Sequence, residues 1–161
     1  MKIILFLTLV LSCSELFSQK NTFQYSDSSF VVGSVHRVEY TWCYTTCGYG
    51  PVEKDPCGNE PKIDSIVTFL KLNPTIKIEI SHHTDCRGRA TYNRDLSKRK
   101  ADEIVTFLIE KGINPNRLVA VGYGGDQPIK ECEEIKRQKT KEEQETSHQI
   151  NRRVEIKILS L

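Results

Sequence analysis

Residues 83–88 read His-Thr-Asp-Cys-Arg-Gly, and this stretch decides how the rest of the chain is interpreted. It follows an alternating run in which Ile76, Ile78 and Ile80 are separated by polar residues, the pattern of a strand with one buried face. The carboxylate of Asp85 is therefore expected in a glycine-containing turn directly after a strand. A carboxylate at that position is a candidate ligand-binding group.

The helix predicted after this turn carries a cation, Lys100, on the side that should face the core. On a helical wheel with about 100° per residue, Lys100 falls between Leu96 and Ile104, inside the apolar stripe. A cation on the core side is costly unless it is paired. We therefore expect Asp85 and Lys100 to flank a slot for a ligand that carries both an ammonium and a carboxylate group. Two structural alternatives are a direct Asp85–Lys100 ion pair and a lysine stem along the core edge with its amine in water.

The composition predicts one globular domain and no nucleic-acid partner. The chain has 161 residues, which a single domain can use. Charged residues make up 27% and hydrophobic residues 38%, the proportions of an ordinary soluble protein. The net charge is only +2, and no basic stripe alternates with aromatic residues, so binding of nucleic acid is not expected.

The first part of the chain, residues 1–18, has the pattern of an export signal. Lys2 precedes an apolar run, Ile3–Leu11, that is too short to span a bilayer. The following residues, 19–33, are polar and predict a flexible lead-in to the domain.

Two processing sites are compatible with this signal. Cleavage after Ser18 would leave Gln19 as the first residue of a soluble exported protein. Alternatively, residues 10–13, Val-Leu-Ser-Cys, resemble the end of a lipoprotein signal, 1–12, after which Cys13 would carry lipid.

Cysteine usage agrees with export, because an oxidising compartment favours disulfides. The cysteines beyond the signal are Cys43, Cys47, Cys57, Cys86 and Cys132. Their odd number leaves one thiol unpaired or bonded to another chain. We expect Cys86 to bridge Cys132 and Cys47 to bridge Cys57, with Cys43 left over; a Cys43–Cys47 bridge is the alternative.

Metal binding and catalysis are not expected. His82 and His83 precede Asp85 and Cys86, but adjacent strand residues point to opposite faces, so these four groups should not converge. The earlier cysteines lack the second tight pair of a zinc ribbon. No HExxH motif, phosphate-binding glycine loop or ordered Ser-His-Asp set is present, so no enzyme, cofactor or metal is predicted.

Hydrophobic periodicity predicts alternating strands and helices. The predicted order is a strand at 35–44, a loop at 45–60, a helix at 61–72, a strand at 76–80, a helix at 93–111, a strand at 118–121, a charged excursion at 132–151 and a strand at 154–158. Asn93 is expected to cap the second helix, and Gly122–Gly125 to form a turn. This order predicts an α/β two-layer sandwich, with helices packed on a small mixed four-stranded sheet.

The ordered motifs resemble the OmpA-like C-terminal domain family, the peptidoglycan-binding module that is also found in Pal-type lipoproteins and flagellar stator proteins. The matching residues are His83-Thr84-Asp85, Gly88, Asn93, Leu96-Ser97, Ala101, Gly112-Ile113, Arg117, Gly122-Tyr123-Gly124, Pro128 and Asn151-Arg152-Arg153-Val154. The resemblance covers about residues 61–159, within a predicted domain at 34–161.

The resemblance implies a non-catalytic envelope protein that binds the stem peptide of peptidoglycan. In this family an Asp and an Arg hold the ammonium and the carboxylate of diaminopimelate at its far stereocentre. The matching positions are Asp85 and Lys100, and the resemblance adds Thr84, Asn93 and Arg152 to the ligand-binding set. It also implies a place in the periplasm or on the periplasmic face of the outer membrane, where an envelope protein partner would be available.

Two departures from the family pattern favour a second hypothesis. Lys100 stands where the family has Arg, and lysine lacks the planar fork that binds a carboxylate through two hydrogen bonds. His82 stands where the family usually has Gly. The second hypothesis is a structural or assembly protein of the envelope that keeps the fold but binds peptidoglycan weakly or not at all. A third hypothesis, a small hydrolase that uses His83 and Cys86, has the least support.

Overall fold

The computed structural model describes residues 31–38 and 60–161, with side chains from residue 63 onward in the second range. The export signal, Cys13, most of the lead-in and the loop that carries Cys47 and Cys57 lie outside the described residues. The predictions made for them, and for the extension of the first strand beyond residue 38, stay predictions.

The described elements follow the predicted alternation. They are β1 (Val35–Val38), α1 (Glu60–Leu72), β2 (Lys77–His83), α2 (Ala90–Glu110), a 3-10 turn (Pro115–Arg117), β3 (Leu118–Gly124), α3 (Cys132–Lys136), α4 (Lys141–Asn151) and β4 (Arg153–Ser160). Within the described ranges, none of the helices is both long enough and apolar enough to cross a membrane.

The described strands form one four-stranded sheet in the order β1-β4-β2-β3. β2 and β3 are parallel and are connected through α2, whereas β4 runs antiparallel to both β1 and β2. A parallel pair requires such a crossover connection. The predicted two-layer α/β sandwich with a mixed sheet is confirmed.

The core lies between the helices and one face of this sheet. Because successive side chains of a strand alternate between faces, every second residue of β2 and β4 points into it. These strand residues are at most 1% exposed, and they are Ile78, Ile80, Val154, Ile156 and Ile158. The helices contribute residues at helical spacing, among them Ile66 and Leu70 from α1 and Ile104 and Leu108 from α2.

Two predicted details are wrong. The second helix begins at Ala90, so Asn93 lies within its first turn and does not cap it. Gly122–Gly124, predicted as a turn, is the end of β3. The glycine at 122 is needed for packing, because an added Cβ would lie only 2.2 Å from the backbone nitrogen of Lys98.

This close approach also orients α2 over the end of the sheet. The hydroxyl oxygen of Ser97 accepts a hydrogen bond from the N–H of Gly124 at 2.8 Å. The first turns of α2 are thereby held against the end of β3. As a result, Tyr92, Asn93 and Leu96 lie beside the turn that follows β2.

Candidate ligand-binding site

The turn after β2 is fixed at both of its ends. At its start, the N–H of Thr84 donates to the carbonyl of Gly124 at 2.8 Å, which ties the turn to β3. At its end, Gly88 has a φ of 92°, a conformation that glycine adopts at little cost. Asp85 lies between these two points.

A disulfide ties the same turn to α3. Cys86 is bonded to Cys132, with 6.1 Å between the two Cα atoms, so the predicted bridge is confirmed. A disulfide-bonded Cys86 has no thiol to act as a nucleophile. The hydrolase hypothesis therefore loses the group on which it depended.

Four charged side chains form a closed ring of ion pairs, which we call the charge ring: Asp85, Arg87, Glu145 and Arg152. Arg87 donates to Asp85 Oδ2 from Nη2 at 2.6 Å and from Nε at 3.2 Å. Arg152 donates to the same oxygen from Nη1 at 2.6 Å. Both guanidinium groups also bind Glu145, from Arg152 Nη2 at 2.6 Å and from Arg87 Nη1 at 3.0 Å. The ring holds two positive and two negative charges and is neutral as a whole.

The charge ring has a buried half and an exposed half. The side chains of Asp85 and Arg152 are 7% and 4% exposed. Those of Arg87 and Glu145 are 51% and 46% exposed. A molecule arriving from solvent therefore meets Arg87 and Glu145 first and Asp85 behind them.

Both carboxylates of the ring stay ionised at neutral pH. Burial by itself raises the pKa of Asp85, but the hydrogen bonds from Arg87 and Arg152 outweigh it and hold the pKa below its ordinary value. The hydrogen bond from Arg152 likewise lowers the pKa of Glu145. The site thus presents a buried, charged carboxylate whose charge is balanced by two guanidinium groups.

A cavity of about 620 Å³ opens beside the charge ring. This volume is within the range of small-molecule sites. Its polar lining includes the ring, and Tyr92 and Leu96 from α2 add an apolar wall. The full lining is His82, His83, Thr84, Asp85, Arg87, Gly88, Tyr92, Asn93, Leu96, Glu145 and Arg152.

Four of the five predicted ligand-binding residues meet at this cavity: Thr84, Asp85, Asn93 and Arg152. The hydroxyl of Thr84 donates to the carbonyl of Asp85 at 2.9 Å. The side-chain amide of Asn93 donates to the carbonyl of Arg87 at 2.9 Å. Both side chains therefore shape the backbone of the turn that carries Asp85.

The segment before β4 positions Arg152. Asn151 is fully buried, and its Oδ1 accepts the N–H groups of Ile129 and Lys130, both at 2.9 Å. Its Nδ2 donates to the carbonyl of Lys130 at 2.8 Å. These bonds fix the end of α4, from which Arg152 reaches Asp85.

Lys100, the fifth predicted residue, does not belong to the lining described for the cavity. Its side chain is only 14% exposed, so it lies toward the interior as the helical wheel predicts, and its Nζ is 2.7 Å from Glu103 Oε2. The ion pairs described for Asp85 are with Arg87 and Arg152, so a direct Asp85–Lys100 bridge is not the arrangement found. Burial and the charge of His83 lower the pKa of His82, and the charge of Lys100 adds to this effect.

Two histidines line the cavity, although strand alternation predicts that they face opposite sides. Both His82 and His83 are buried, and the pairing of β2 with β3 is irregular between them, which breaks the alternation. Burial is the main cause that lowers the pKa of His82 to about 3, and the charges of His83 and Lys100 add to it. His83 stacks on Tyr123 with 5.1 Å between ring centroids. In the described ranges, no set of three or more His, Cys, Asp or Glu side chains is arranged to hold a metal ion.

The comparison with protein families agrees with this geometry. The model of the OmpA family matches residues 59–142, which is more than half of the chain. The chain belongs to the OmpA family. The matched region contains β2, the turn that carries Asp85, the whole of α2 and β3.

Two relatives show how far this OmpA-family similarity extends. The chain is 32% identical over 96 residues to a peptidoglycan-associated lipoprotein of Legionella pneumophila, which covers 60% of this chain and 49% of that protein. It is 31% identical over 96 residues to outer membrane porin F of Pseudomonas fluorescens, covering 60% of this chain and 26% of that protein. The chain thus spans less than half the length of these two relatives.

Solved structures share the OmpA-family fold at lower identity. The peptidoglycan-associated lipoprotein from Burkholderia pseudomallei has a TM-score of 0.52 and 23% identity, with 62% of this chain and 76% of that chain covered. A MotB-like protein from Desulfovibrio vulgaris has a TM-score of 0.52 and 21% identity, with 77% and 71% covered. At these identities the similarity supports the fold alone.

Two of the four residues of the charge ring, Arg87 and Glu145, were not predicted from the sequence. Arg87 lies two residues after Asp85 in the same turn, and this spacing could have identified it as a partner for the carboxylate. Glu145 is one of several acids in a charged segment, and no pattern separates it from its neighbours. Its role depends on how α4 is folded back toward the turn.

Proposed function

We propose that this protein is a non-catalytic component of the cell envelope that binds the stem peptide of peptidoglycan in the cavity beside Asp85 and so attaches to the cell wall. Family membership supports the proposal, together with relatives named as peptidoglycan-associated lipoproteins. The ligand class is a diaminopimelate-containing peptide, whose free end carries an ammonium and a carboxylate on one carbon.

The observation that carries the proposal is the buried, ionised carboxylate of Asp85 at a cavity of suitable size. A buried carboxylate interacts strongly with a cation, because the surroundings screen the charges less than water does. The ammonium of the ligand would bind Asp85. Thr84, Asn93 and Arg152 would hold the turn and the carboxylate in place for it.

Lys100 is the cation proposed for the carboxylate of the ligand. It is one helical turn beyond Leu96, which lines the cavity, and it is paired with Glu103. Binding through Lys100 requires its pair with Glu103 to open, and Glu103 is 48% exposed, so water can solvate its carboxylate when Lys100 leaves.

The alternative is an envelope protein that kept the fold for structure or assembly, with weak or lost peptidoglycan binding. The charge ring favours this alternative, because two arginines already neutralise the charge of Asp85. In this alternative the ring would only stabilise the fold. An envelope protein partner would then carry the function.

The proposed location is the periplasm or the periplasmic face of the outer membrane. The predicted export signal supports it, as do relatives named as outer-membrane and peptidoglycan-associated proteins. Whether the mature protein starts at Gln19 or at a lipid-bearing Cys13 is decided by the mass of its N-terminal peptide.

Binding to purified sacculi tests the proposal. The wild-type protein should sediment with sacculi, and Asp85→Asn should remain in the supernatant. The matched control is Asp126→Asn, because Asp126 forms an ion pair with Arg94 on the surface and does not line the cavity. Sedimentation of Asp85→Asn equal to that of wild type, or no sedimentation of either, would favour the structural alternative.

A further inference from the structure

We infer that Arg87 is a specificity-determining residue, a tethered cation that occupies Asp85 until a ligand with both an ammonium and an adjacent carboxylate takes its place. This inference rests on the proposed function and extends it. Arg87 binds Asp85 at the position that the ligand's ammonium would need, and after displacement it would bind the ligand's carboxylate. Under this inference, both Arg87 and Lys100 recognise the ligand's carboxylate.

The hydrogen bonds of Asp85 show that its Oδ2 is already saturated. Oδ2 receives Arg87 Nη2, Arg87 Nε and Arg152 Nη1 within 3.2 Å. An oxygen of a carboxylate offers about two acceptor positions. Oδ1 accepts the backbone N–H of Arg87 at 3.0 Å, which is part of the turn itself. An ammonium can reach Oδ2 only if one of the guanidinium groups leaves it.

Charge leads to the same conclusion. The charge ring is neutral, so an added ammonium would face two nearby guanidinium groups and no unbalanced carboxylate. An ammonium that binds Asp85 would lie next to these guanidinium groups, and like charges so close together repel each other. A ligand with only an ammonium is therefore excluded unless a cation is released at the same time.

Exposure identifies Arg87 as the group that is released. Its side chain is 51% exposed, whereas that of Arg152 is 4% exposed. Moving Arg152 would leave a buried guanidinium without its carboxylate, a much larger cost than moving a group that water can solvate. Arg87 can also keep its second bond, to Glu145 at 3.0 Å, while it turns away from Asp85.

When the ligand's ammonium replaces Arg87 on Asp85, the number of ion pairs stays the same only if the ligand also offers Arg87 a carboxylate. When an ammonium and a carboxylate share one carbon, the ammonium takes the place on Asp85 and the adjacent carboxylate meets the displaced Arg87. A ligand whose carboxylate is amidated would displace Arg87 without offering it a new partner. The site should therefore select the free amino-acid end and reject its amide.

Two synthetic peptides test the inference. Both are stem tripeptides that end in meso-diaminopimelate, one with a free far carboxylate and one with that carboxylate amidated. Their dissociation constants are measured by calorimetry for wild type, Arg87→Gln, Lys100→Gln and the surface control Arg94→Gln. Circular dichroism and thermal melting check that each variant is folded.

We expect wild type and Arg94→Gln to bind the free acid about tenfold more tightly than the amide, the value of one charge-assisted hydrogen bond. In Arg87→Gln the ratio of the two dissociation constants should fall clearly below tenfold, to the part that Lys100 supplies. The amide should bind this variant at least as tightly as it binds wild type, because its competitor on Asp85 is gone. An unchanged ratio in Arg87→Gln overturns the inference, whatever Lys100→Gln does. Failure of wild type to bind either peptide contradicts the proposed function itself.

Discussion

Arg152 and Asp85 form a buried ion pair in which Nη1 lies 2.6 Å from Oδ2. The two residues are 67 positions apart in sequence, so this pair joins the junction between α4 and β4 to the turn after β2. It ties the candidate site to the fold, since the sheet brings β2 and β4 side by side.

Replacing Arg152 by Met should destabilise the protein. The change leaves Asp85 buried with Arg87 as its remaining guanidinium, and removing one partner of a buried pair is strongly unfavourable. We expect the free energy of unfolding to fall by roughly 2–4 kcal/mol, measured by urea denaturation. Arg94→Gln, which breaks an exposed pair with Asp126, should change it by about 0.5 kcal/mol or less. An equal effect of the two substitutions would show that the charge ring does not stabilise the fold.

The Cys86–Cys132 disulfide should support both stability and binding. It closes a sequence separation of 46 residues, so its loss should cost about 2–4 kcal/mol. Cys132→Ser is the informative variant, because Cys132 does not line the cavity. We expect lower stability and weaker sacculus binding, since the turn that carries Asp85 is less restrained. Peptide mapping without reduction checks the bridge, and a free Cys86 in the native protein would contradict it.

Acid should destabilise the protein through His82. Its pKa is lowered from 6.5 to about 3 in the folded state, so between these values the unfolded chain binds more protons than the folded one. The contribution of neutral His82 to the free energy of unfolding is therefore fully present above about pH 6.5. It is lost as the pH falls toward 3, and the loss over this window is roughly 3–5 kcal/mol. Urea denaturation of His82→Asn over the same pH range should give a clearly smaller slope. His148, whose pKa is also lowered mainly by burial, should account for part of the slope that remains. An identical slope in wild type and His82→Asn would rule out His82 as the cause.

Lys100→Arg should hold or strengthen binding to sacculi. Arginine restores the planar fork that can meet a carboxylate through two hydrogen bonds. Lys98→Arg is the control on the same helix, because Lys98 is exposed and forms an ion pair with Asp102. Loss of binding in a folded Lys100→Arg, with Lys98→Arg unaffected, would show that position 100 does not meet the ligand in this way.

Local patterns predicted most of the fold because its signals are periodic. The buried isoleucines of β2 and the spacing of Ile104 and Leu108 on α2 each identify one face of one element. The ends of elements were harder, because a glycine such as Gly122 has the same appearance in a turn and in a strand that packs closely against a helix. Asn93 was misplaced for a similar reason: an Asn near a helix start usually caps it, but here its amide binds the preceding turn.

The site was predictable only where its residues belong to one turn or one helix face. Asp85 stood out as a carboxylate after a strand, and Lys100 as a cation in an apolar stripe. Arg152 was predicted as a site residue only from the family resemblance, and Glu145 was not predicted. Both reach the turn only through the fold of the segment between β3 and β4, which no local periodicity encodes.

The most direct test of the central claim is an NMR titration of the ¹⁵N-labelled protein with the free-acid stem tripeptide. If the peptide binds beside Asp85, the amide signals of Thr84–Gly88 and the Nε–H signals of Arg87 and Arg152 should shift, while those on the far end of α2, such as Ile109, should not. The shifts should be absent in Asp85→Asn. Saturating peptide that leaves the Thr84–Gly88 signals unchanged, or that shifts a different surface, would contradict the account.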